Sequence, residues 1–552
     1  MAISEAFGKQ EAPDTMATDG RVASIEDDNE QMSDLKSEML SAGAKAATDA
    51  EHALSLKEAI NKFPKAMAWS VLLSTAIAME GYDSVLVNQF LAFPSFVKRY
   101  GTIGADGKPA ISAAWQAGLS NGARVGEIMG LALNGWIAEF FGFKRTMLGT
   151  LVLLTFLIFI PFFAPNIETL QAAQVLLGIP WGVFQTLTTA YAAEVCPVAL
   201  RAYLTSYVNM MWGLGQLIAS GVLRGFLNRT DEWAYRIPFA LQWVWPVPLI
   251  IGISFAPESP WWLVRQNRNA DARKALARLS SAATESELDQ TISMMIHTNE
   301  MEKQASVGTT YLDCFRGGAS LMGYAAYFFE QAGLSTDISF DFSISLYALS
   351  MIGVLLSWFA MTYLGRRTIY LTGLIGQFAM LMGIGFASLA SNATNTAPSY
   401  AIGSLLLVYT LIYDIGVGTV AYSMVAETPS TRLRTKTIVL ARNLYNVQGI
   451  INGVITPYML NQTAWNWKAK AGFFWAGTSF LCLIWTYFRL PEPKGRTYGE
   501  LDVLFENGIS ARKFKSTVVD PFAVNGSHAL DVAVGEEEKT GAAVQTVDAP
   551  RS

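Results

Sequence analysis

Long apolar runs, broken by short and often basic polar segments, dominate the chain from about residue 66 onward. A bilayer-spanning helix needs roughly 20 predominantly apolar residues. Runs of that kind fall near 66–94, 114–138, 147–164, 169–191, 203–225, 237–256, 342–364, 368–390, 399–425, 437–460 and 471–490. A twelfth, near 318–332, is short. The pattern predicts an all-α membrane protein with helices as its only spanning elements. The first apolar run follows about sixty polar residues, which reads as a retained first span rather than a cleavable signal.

The polar segments repeat. Gly142-Phe143-Lys144-Arg145 is answered by Gly365-Arg366-Arg367, Glu194 to Arg201 (EVCPVALR) by Ala426 to Arg434 (AETPSTRLR), and Pro257-Glu258-Ser259-Pro260 by Pro491-Glu492-Pro493-Lys494. Two halves with the same loop landmarks in the same order point to a transporter built by parallel duplication, with its site between the halves near the bilayer midplane. The expected organisation is an acidic, disordered tail (1–62), a six-helix half (63–264), a helical linker (265–316), a second half (317–492) and a C-terminal tail (493–552).

Lys144, Arg145, Arg201, Arg366, Arg367, Arg432 and Arg434 all fall on one side if the spans alternate, and that side is expected to be cytoplasmic, with both termini. The sequons at Asn228, Asn392 and Asn461 then fall outside, as candidate glycosylation acceptors. Half the residues are hydrophobic, 51%, and only 15% are charged, which excludes an ordinary soluble protein of this length. The net charge of −5 comes largely from the tails and gives no nucleic-acid reading. Three cysteines at Cys196, Cys314 and Cys482 make no disulfide framework, and no metal-ligand or cofactor spacing is present. The linker from Asp271 to Met301 has helical periodicity and reads as a brace between the halves.

Ionisable residues at membrane depth are costly and mark function or a fixed ion-pair network. Glu80 and Asp83 lie three apart on the first span, Arg124 and Glu127 on the second, with Arg442 on the eleventh and Asp414 on the tenth. Gly118, Gly122, Gly126 and Gly130 clear one stripe of the second span. A close approach of the first two spans is expected from it. All three histidines lie outside the runs, so any proton relay uses carboxylates: Glu80, Asp83 and Glu127 against Arg124 and Arg442.

The pieces Glu80-Gly81-Tyr82-Asp83, Pro180-Trp181-Gly182, Glu194-Val195-Cys196-Pro197, Trp212 to Leu217 (WGLGQL), Pro257 to Val264 (PESPWWLV), Pro429 to Arg442 and Glu500-Leu501-Asp502 resemble the sugar porters of the major facilitator superfamily. Within them the chain most resembles the fungal α-glucoside (maltose-type) proton symporters, from about residue 60 to about 515. The resemblance implies twelve helices in two halves, alternating access, uptake of a glucoside with a proton and residence in the plasma membrane; no cofactor, no enzymatic activity and a monomer are expected besides, since no nucleophile-and-base arrangement or cofactor loop stands out. It assigns proton coupling to Asp83, with Glu80, Glu127 and Arg442 at matching charged positions, to which the charge pattern of the second span adds Arg124, and sugar contacts to Asn209, Gln216, Tyr422, Tyr445 and Asn446. Glu139, Lys144, Arg145, Glu194, Arg201, Glu258, Arg366, Arg367, Glu427, Arg432 and Arg434 match a cytoplasmic gating network.

Three departures stand out. Gln174 occupies a fourth-span position where many sugar porters have Arg, so Asp83 is expected to take Arg124 or Arg442 as its cation. Thr362 replaces a loop carboxylate, which weakens the latch. Between Arg316 and Leu321 the first half of the seventh span and its glutamine-containing sugar motif are missing. The remaining dozen or so residues, at roughly 1.5 Å each, cover under 20 Å of a core of about 30 Å. Two further readings therefore stay open: a non-transporting sugar sensor, and a chain that cannot transport because the segment is lost.

Overall fold

The computed structural model describes residues 42–51, 53–91, 93–103, 109–281, 283–305, 336–390, 397–428, 434–460, 465, 467–519 and 530–532. Helices occupy all eleven of the long apolar runs. We call them spans 1–6 and 8–12: span 1, Pro64–Ser74 and Ile77–Phe90; span 2, Ala113–Phe141; span 3, Phe143–Leu157 and Phe159–Phe162; span 4, Ile167–Val195; span 5, Val198–Phe226; span 6, Trp233–Ala240, the 3-10 turn Leu241–Val244 and Pro246–Ser254; span 8, Thr336–Tyr363; span 9, Arg366–Leu389; span 10, Ala397–Tyr413, the π-turn Asp414–Gly418 and Thr419–Glu427; span 11, Arg434–Leu460; span 12, Ala471–Arg489. The short seventh segment, Arg432, Asn392 and Asn461 lie outside the described residues.

Seven of these spans are long and apolar enough to cross a membrane by length and composition alone. The four that are not, spans 2, 4, 5 and 11, carry the amides and charges that line the molecule's centre, so their low hydropathy marks what they surround rather than where they sit.

Helix packing departs from the sequence expectation. The glycine stripe of span 2 receives span 4, not span 1. A Cβ on Gly126 would stand 1.9 Å from the Val175 carbonyl and one on Gly130 2.0 Å from that of Ile179, while Gly178 and Gly182 of span 4 meet the Ala123 and Glu127 carbonyls in return. Span 1 instead packs on span 5 through Gly81 against the Trp212 carbonyl and Gly215 against that of Ala78. Reciprocal small residues let both pairs approach backbone to backbone.

On the face carrying the basic loops, Pro260–Arg265, Asn269–Leu279 and Glu285–Ala305 form the linker helices. The segment expected to be disordered is partly helical: 42–51 and Leu56–Lys62 fold, with Ala44, Ala47 and Ala59 buried. Small apolar positions give these short helices a face to dock, and Gly43 lies against Ser293 of the linker. Ser55 and Glu58 form a capping box, and Lys62 pairs with Glu287 at 2.7 Å.

Candidate substrate and coupling site

A cavity lies between the halves, lined from spans 1, 2, 4, 5, 8, 10 and 11. It holds about 1020 Å³ of space free of protein atoms, its open mouth included. Glu80 and Glu127 face it from spans 1 and 2, and Gln185 of span 4 joins them: its Nε2 donates to Glu80 Oε1 at 2.7 Å and to Glu127 Oε2 at 3.2 Å. An amide nitrogen has two hydrogens, so it satisfies one oxygen on each carboxylate at once. Glu80 Oε2 is buried without a hydrogen-bond partner.

The two arginines do not pair directly with these acids. Arg124 donates to Asn121 Oδ1 at 3.0 Å and to the Ser120 carbonyl at 3.4 Å. Arg442 lies over the Tyr422 ring, 4.0 Å from its centroid, with Tyr445 at 5.8 Å. They act on the carboxylates through space, in a buried setting where charges are poorly screened. The alternative of a fixed ion-pair network gives way to amide-bridged acids with nearby cations.

Asp83 stands apart. It is buried, and its Oδ1 accepts from Gln242 Nε2 at 2.8 Å. Gln242 is presented by the 3-10 turn of span 6, and Gln174 of span 4 is the second amide beside it. The expectation that Asp83 takes Arg124 or Arg442 fails because both arginines line the cavity, whereas Asp83 points into the span 1–span 6 contact.

Of the expected sugar-contacting residues, Gln216, Tyr422, Tyr445 and Asn446 line the cavity. Both side-chain atoms of Asn446 are buried without partners, so an amide donor and acceptor face the space together. Asn209 does not line it; its Nδ2 donates to Asp414 Oδ1 at 3.0 Å. Ser120 and Asn88 add a hydroxyl and an amide, linked at 2.8 Å, and Asn452 and Thr456 add more. Amides, hydroxyls and aromatic faces together suit a ligand with many hydroxyls and an apolar ring face.

The basic face is closed beneath the cavity. Glu194 pairs with Arg265 at 3.0 Å and accepts from the Ser259 hydroxyl, while Arg265 also reaches Glu139 at 3.5 Å. Arg366 pairs with Glu427 at 3.4 Å in the second half. Glu258 accepts from the backbone N–H groups of Phe143 and Lys144, at the start of span 3; Glu492 accepts from those of Arg366 and Arg367, at the start of span 9. Each carboxylate thus caps a helix N-terminus, where unpaired N–H groups favour negative charge. Burial pushes the Glu258 carboxyl upward, against the lowering effect of those N–H groups.

Tyr498 joins the halves. Its ring lies under the Arg201 guanidinium at 3.9 Å, and its hydroxyl donates at 3.4 and 3.5 Å to the carbonyls of Ala193 and Ala426, equivalent positions at the ends of spans 4 and 10. Further direct contacts between the halves include Ser423 Oγ to the Ala202 carbonyl at 3.1 Å and Trp358 Nε1 to Ser206 at 2.8 Å. Thr362, expected to weaken the latch, meets Tyr203 at 3.1 Å, and its carbonyl accepts from Lys494. Arg367 donates to the Tyr487 carbonyl; Arg145 and Asn228 are exposed, and Arg434 opens span 11.

A bundle of long apolar helices in two halves, with a polar cavity between them and one face pinned shut, defines a membrane transporter. The sequence matches the family described as "Sugar (and other) transporter" over residues 69–505, and the chain belongs to that family. It is 44% identical over 507 residues to the general alpha-glucoside permease of Saccharomyces cerevisiae (strain ATCC 204508 / S288c), covering 87% of this chain and 81% of the relative. It is 42% identical over 552 residues to the maltose permease MAL61 of Saccharomyces cerevisiae, covering 95% and 89%. Its fold is that of the major facilitator superfamily: the proton:xylose symporter XylE bound to 6-bromo-6-deoxy-D-glucose superposes with a TM-score of 0.68 at 18% identity, over 80% of this chain and 99% of that one. Its members are transporters, not enzymes.

Sequence reasoning passed over Gln185, Gln242, Arg265, Glu492 as a cap, and Tyr498. Gln185 and Gln242 carried a signal, since an amide inside an apolar run needs a partner. Tyr498 lies in a polar tail and carried none.

Proposed function

We propose that this protein takes up an α-glucoside of the maltose type together with protons, by alternating access, across the plasma membrane, with the basic face and both termini cytoplasmic. Two buried carboxylates of different spans, Glu80 and Glu127, bridged by Gln185 beside a cavity rich in amides and tyrosines, with the buried Asp83 one turn from Glu80 on span 1, carry this reading. Glu80, Glu127 and Asp83 exchange the proton, with Arg124 and Arg442 setting the local field. Gln216, Tyr422, Tyr445 and Asn446 contact the sugar. Asn209 acts from behind the cavity wall.

The similarity to permeases for α-glucosides and maltose supports the substrate class. The helix at 42–51 and the C-terminal helix Tyr498–Glu506 both lie on the basic face, which fits cytoplasmic termini; the protein works as a monomer in this reading. Uptake of labelled maltose, trehalose and sucrose by a transporter-null yeast, with and without a protonophore, tests the reading. Accumulation that the protonophore abolishes supports it; binding of sugar without uptake supports a sensor.

One observation bears on the second reading, a chain that cannot transport because part of the seventh span is missing. The matches run over 507 and 552 aligned residues yet take in 87% and 95% of this 552-residue chain, about 480 and 524 residues, so each includes roughly 27 aligned positions that this chain lacks. A segment of about twenty residues missing before Leu321 would account for most of that total.

A further inference from the structure

Asp414 is a buried carboxylate that lines neither the cavity nor the basic face and that the coupling cluster of Glu80, Asp83 and Glu127 does not include. It is 2% exposed and opens the π-turn Asp414–Gly418 of span 10. Its Oδ1 accepts from Asn209 of span 5, so the contact crosses from one half to the other. Its Oδ2 is buried without a hydrogen bond, and the Ser350 hydroxyl of span 8 stands beside it. No salt bridge reaches it among the described residues. The titratable groups facing it are Tyr409 and Tyr413 of its own span, both buried phenols, and no arginine or lysine from spans 5, 8 or 9 acts on it.

An ionised carboxylate at membrane depth with one amide donor and no cation among the described residues is expensive, whereas the acid form gives its unpartnered oxygen a proton to donate. Oδ1 accepts from Asn209, and a proton on Oδ2 can be donated to the Ser350 oxygen, a hydroxyl that accepts as well as donates.

The position has a direction. Asn209 is three residues from Trp212, and Ser350 three from Tyr347; Trp212 and Tyr347 both line the cavity. Span 5 runs away from the basic face and span 8 runs toward it. Both helices therefore place Asp414 about one turn, roughly 4.5 Å, nearer the closed basic face than the cavity wall. Trp212 in turn adjoins Glu80. The π-turn gives span 10 an irregular segment at this level, and such turns accompany functional sites. The backbones here are close enough that a Cβ on Gly373 would stand 2.9 Å from Gly416.

We propose that Asp414 is a second proton-binding site, holding a neutral carboxylic acid while the halves are closed on the basic face and releasing its proton when they part. Parting removes the Asn209 hydrogen bond and admits water. The Oδ2–H bond then breaks, the proton passes to water, and the electron pair stays on the carboxylate. Reclosure needs the proton back, from water or from the cavity. This rests on the proton-coupled reading above, and the test separates the two.

Infrared spectra of the purified full chain at neutral pH, parent against Asp414→Asn, read the protonation state without any transport. The proposal expects the parent to show a protonated-carboxyl carbonyl band that the variant loses, with Ser350→Ala shifting that band. Identical spectra in that region overturn it, whatever the transport assays give. In proteoliposomes the variant should keep sugar exchange with sugar on both sides, and lose the dependence of net efflux on the pH of the basic side. If the parent moves sugar without protons, the functional reading fails while the infrared result still stands; if the parent couples protons and the variant keeps the parent's pH dependence, the inference fails alone. Asp414→Glu, which restores an acid, should recover the band, and its absence in a folded variant counts against the site.

Discussion

Gln185 shows how much the site depends on neutral side chains. One amide nitrogen holds carboxylates from two spans, so replacing it by a leucine of similar bulk leaves both without that donor. A buried acceptor that loses its partner costs about 1–3 kcal/mol, more when charged. Gln185→Leu is expected to abolish accumulation of sugar against its gradient while the protein still reaches the membrane, read by labelled-sugar uptake beside a surface-expression assay. Gln216→Ala should weaken sugar affinity by about 1–3 kcal/mol, since it leaves site partners unpaired; an apparent affinity equal to the parent's would exclude it as a ligand. The acids Glu80, Asp83 and Glu127 were legible from the sequence, because a charge in an apolar run is conspicuous. Their partners were not: an arginine was the obvious choice for Asp83, yet the fold supplies Gln242, whose position in a 3-10 turn no periodicity announces.

Among the helices, the glycine stripe of span 2 was plain in the sequence and its occupant was not. A stripe of small residues says that something approaches, not what. The discriminating signal was available: span 4 has its own four-spaced pair, Gly178 and Gly182, which matches the stripe, while span 1 offers only Gly81, which meets the Trp212 carbonyl of span 5. Any side chain at Gly126 meets a backbone carbonyl, which cannot move aside, so Gly126→Ala should cost at least the 1–3 kcal/mol typical of overpacking. Gly149→Ala, where nothing lies within 4 Å, is the matched control. Thermal unfolding in detergent should show a lowered transition for the first and none for the second. Equal transitions would mean that spans 2 and 4 are not in backbone contact.

For the molecule as a whole, the duplicated loop motifs read from the sequence became paired structural devices: Glu258 and Glu492 each cap a helix start, and Glu194 and Glu427 each hold an arginine. Tyr498 lies outside both copies and joins them, which is why a search for repeats passed it by. Tyr498→Ala removes a cation–π contact worth about 0.5–2 kcal/mol and should shift the population toward the form open on the basic face by roughly 2–30-fold. Alkylation of an introduced Ala202→Cys from that side should speed up accordingly. The native Cys196 gives little background, because burial pushes its thiol up to about 12 and keeps it unreactive; an unchanged rate would remove Tyr498 from the latch.

The claim that this fold carries an α-glucoside with protons is tested most directly in proteoliposomes, by recording maltose entry and proton entry together for the 552-residue chain and for a version with about twenty residues restored between Arg316 and Leu321. The account predicts that the restored protein accumulates maltose with accompanying proton influx, that the chain as written does so weakly or not at all, and that Asp83→Asn in the restored protein ends accumulation. Maltose entry without proton influx, or accumulation and proton influx undiminished by Asp83→Asn, would contradict it.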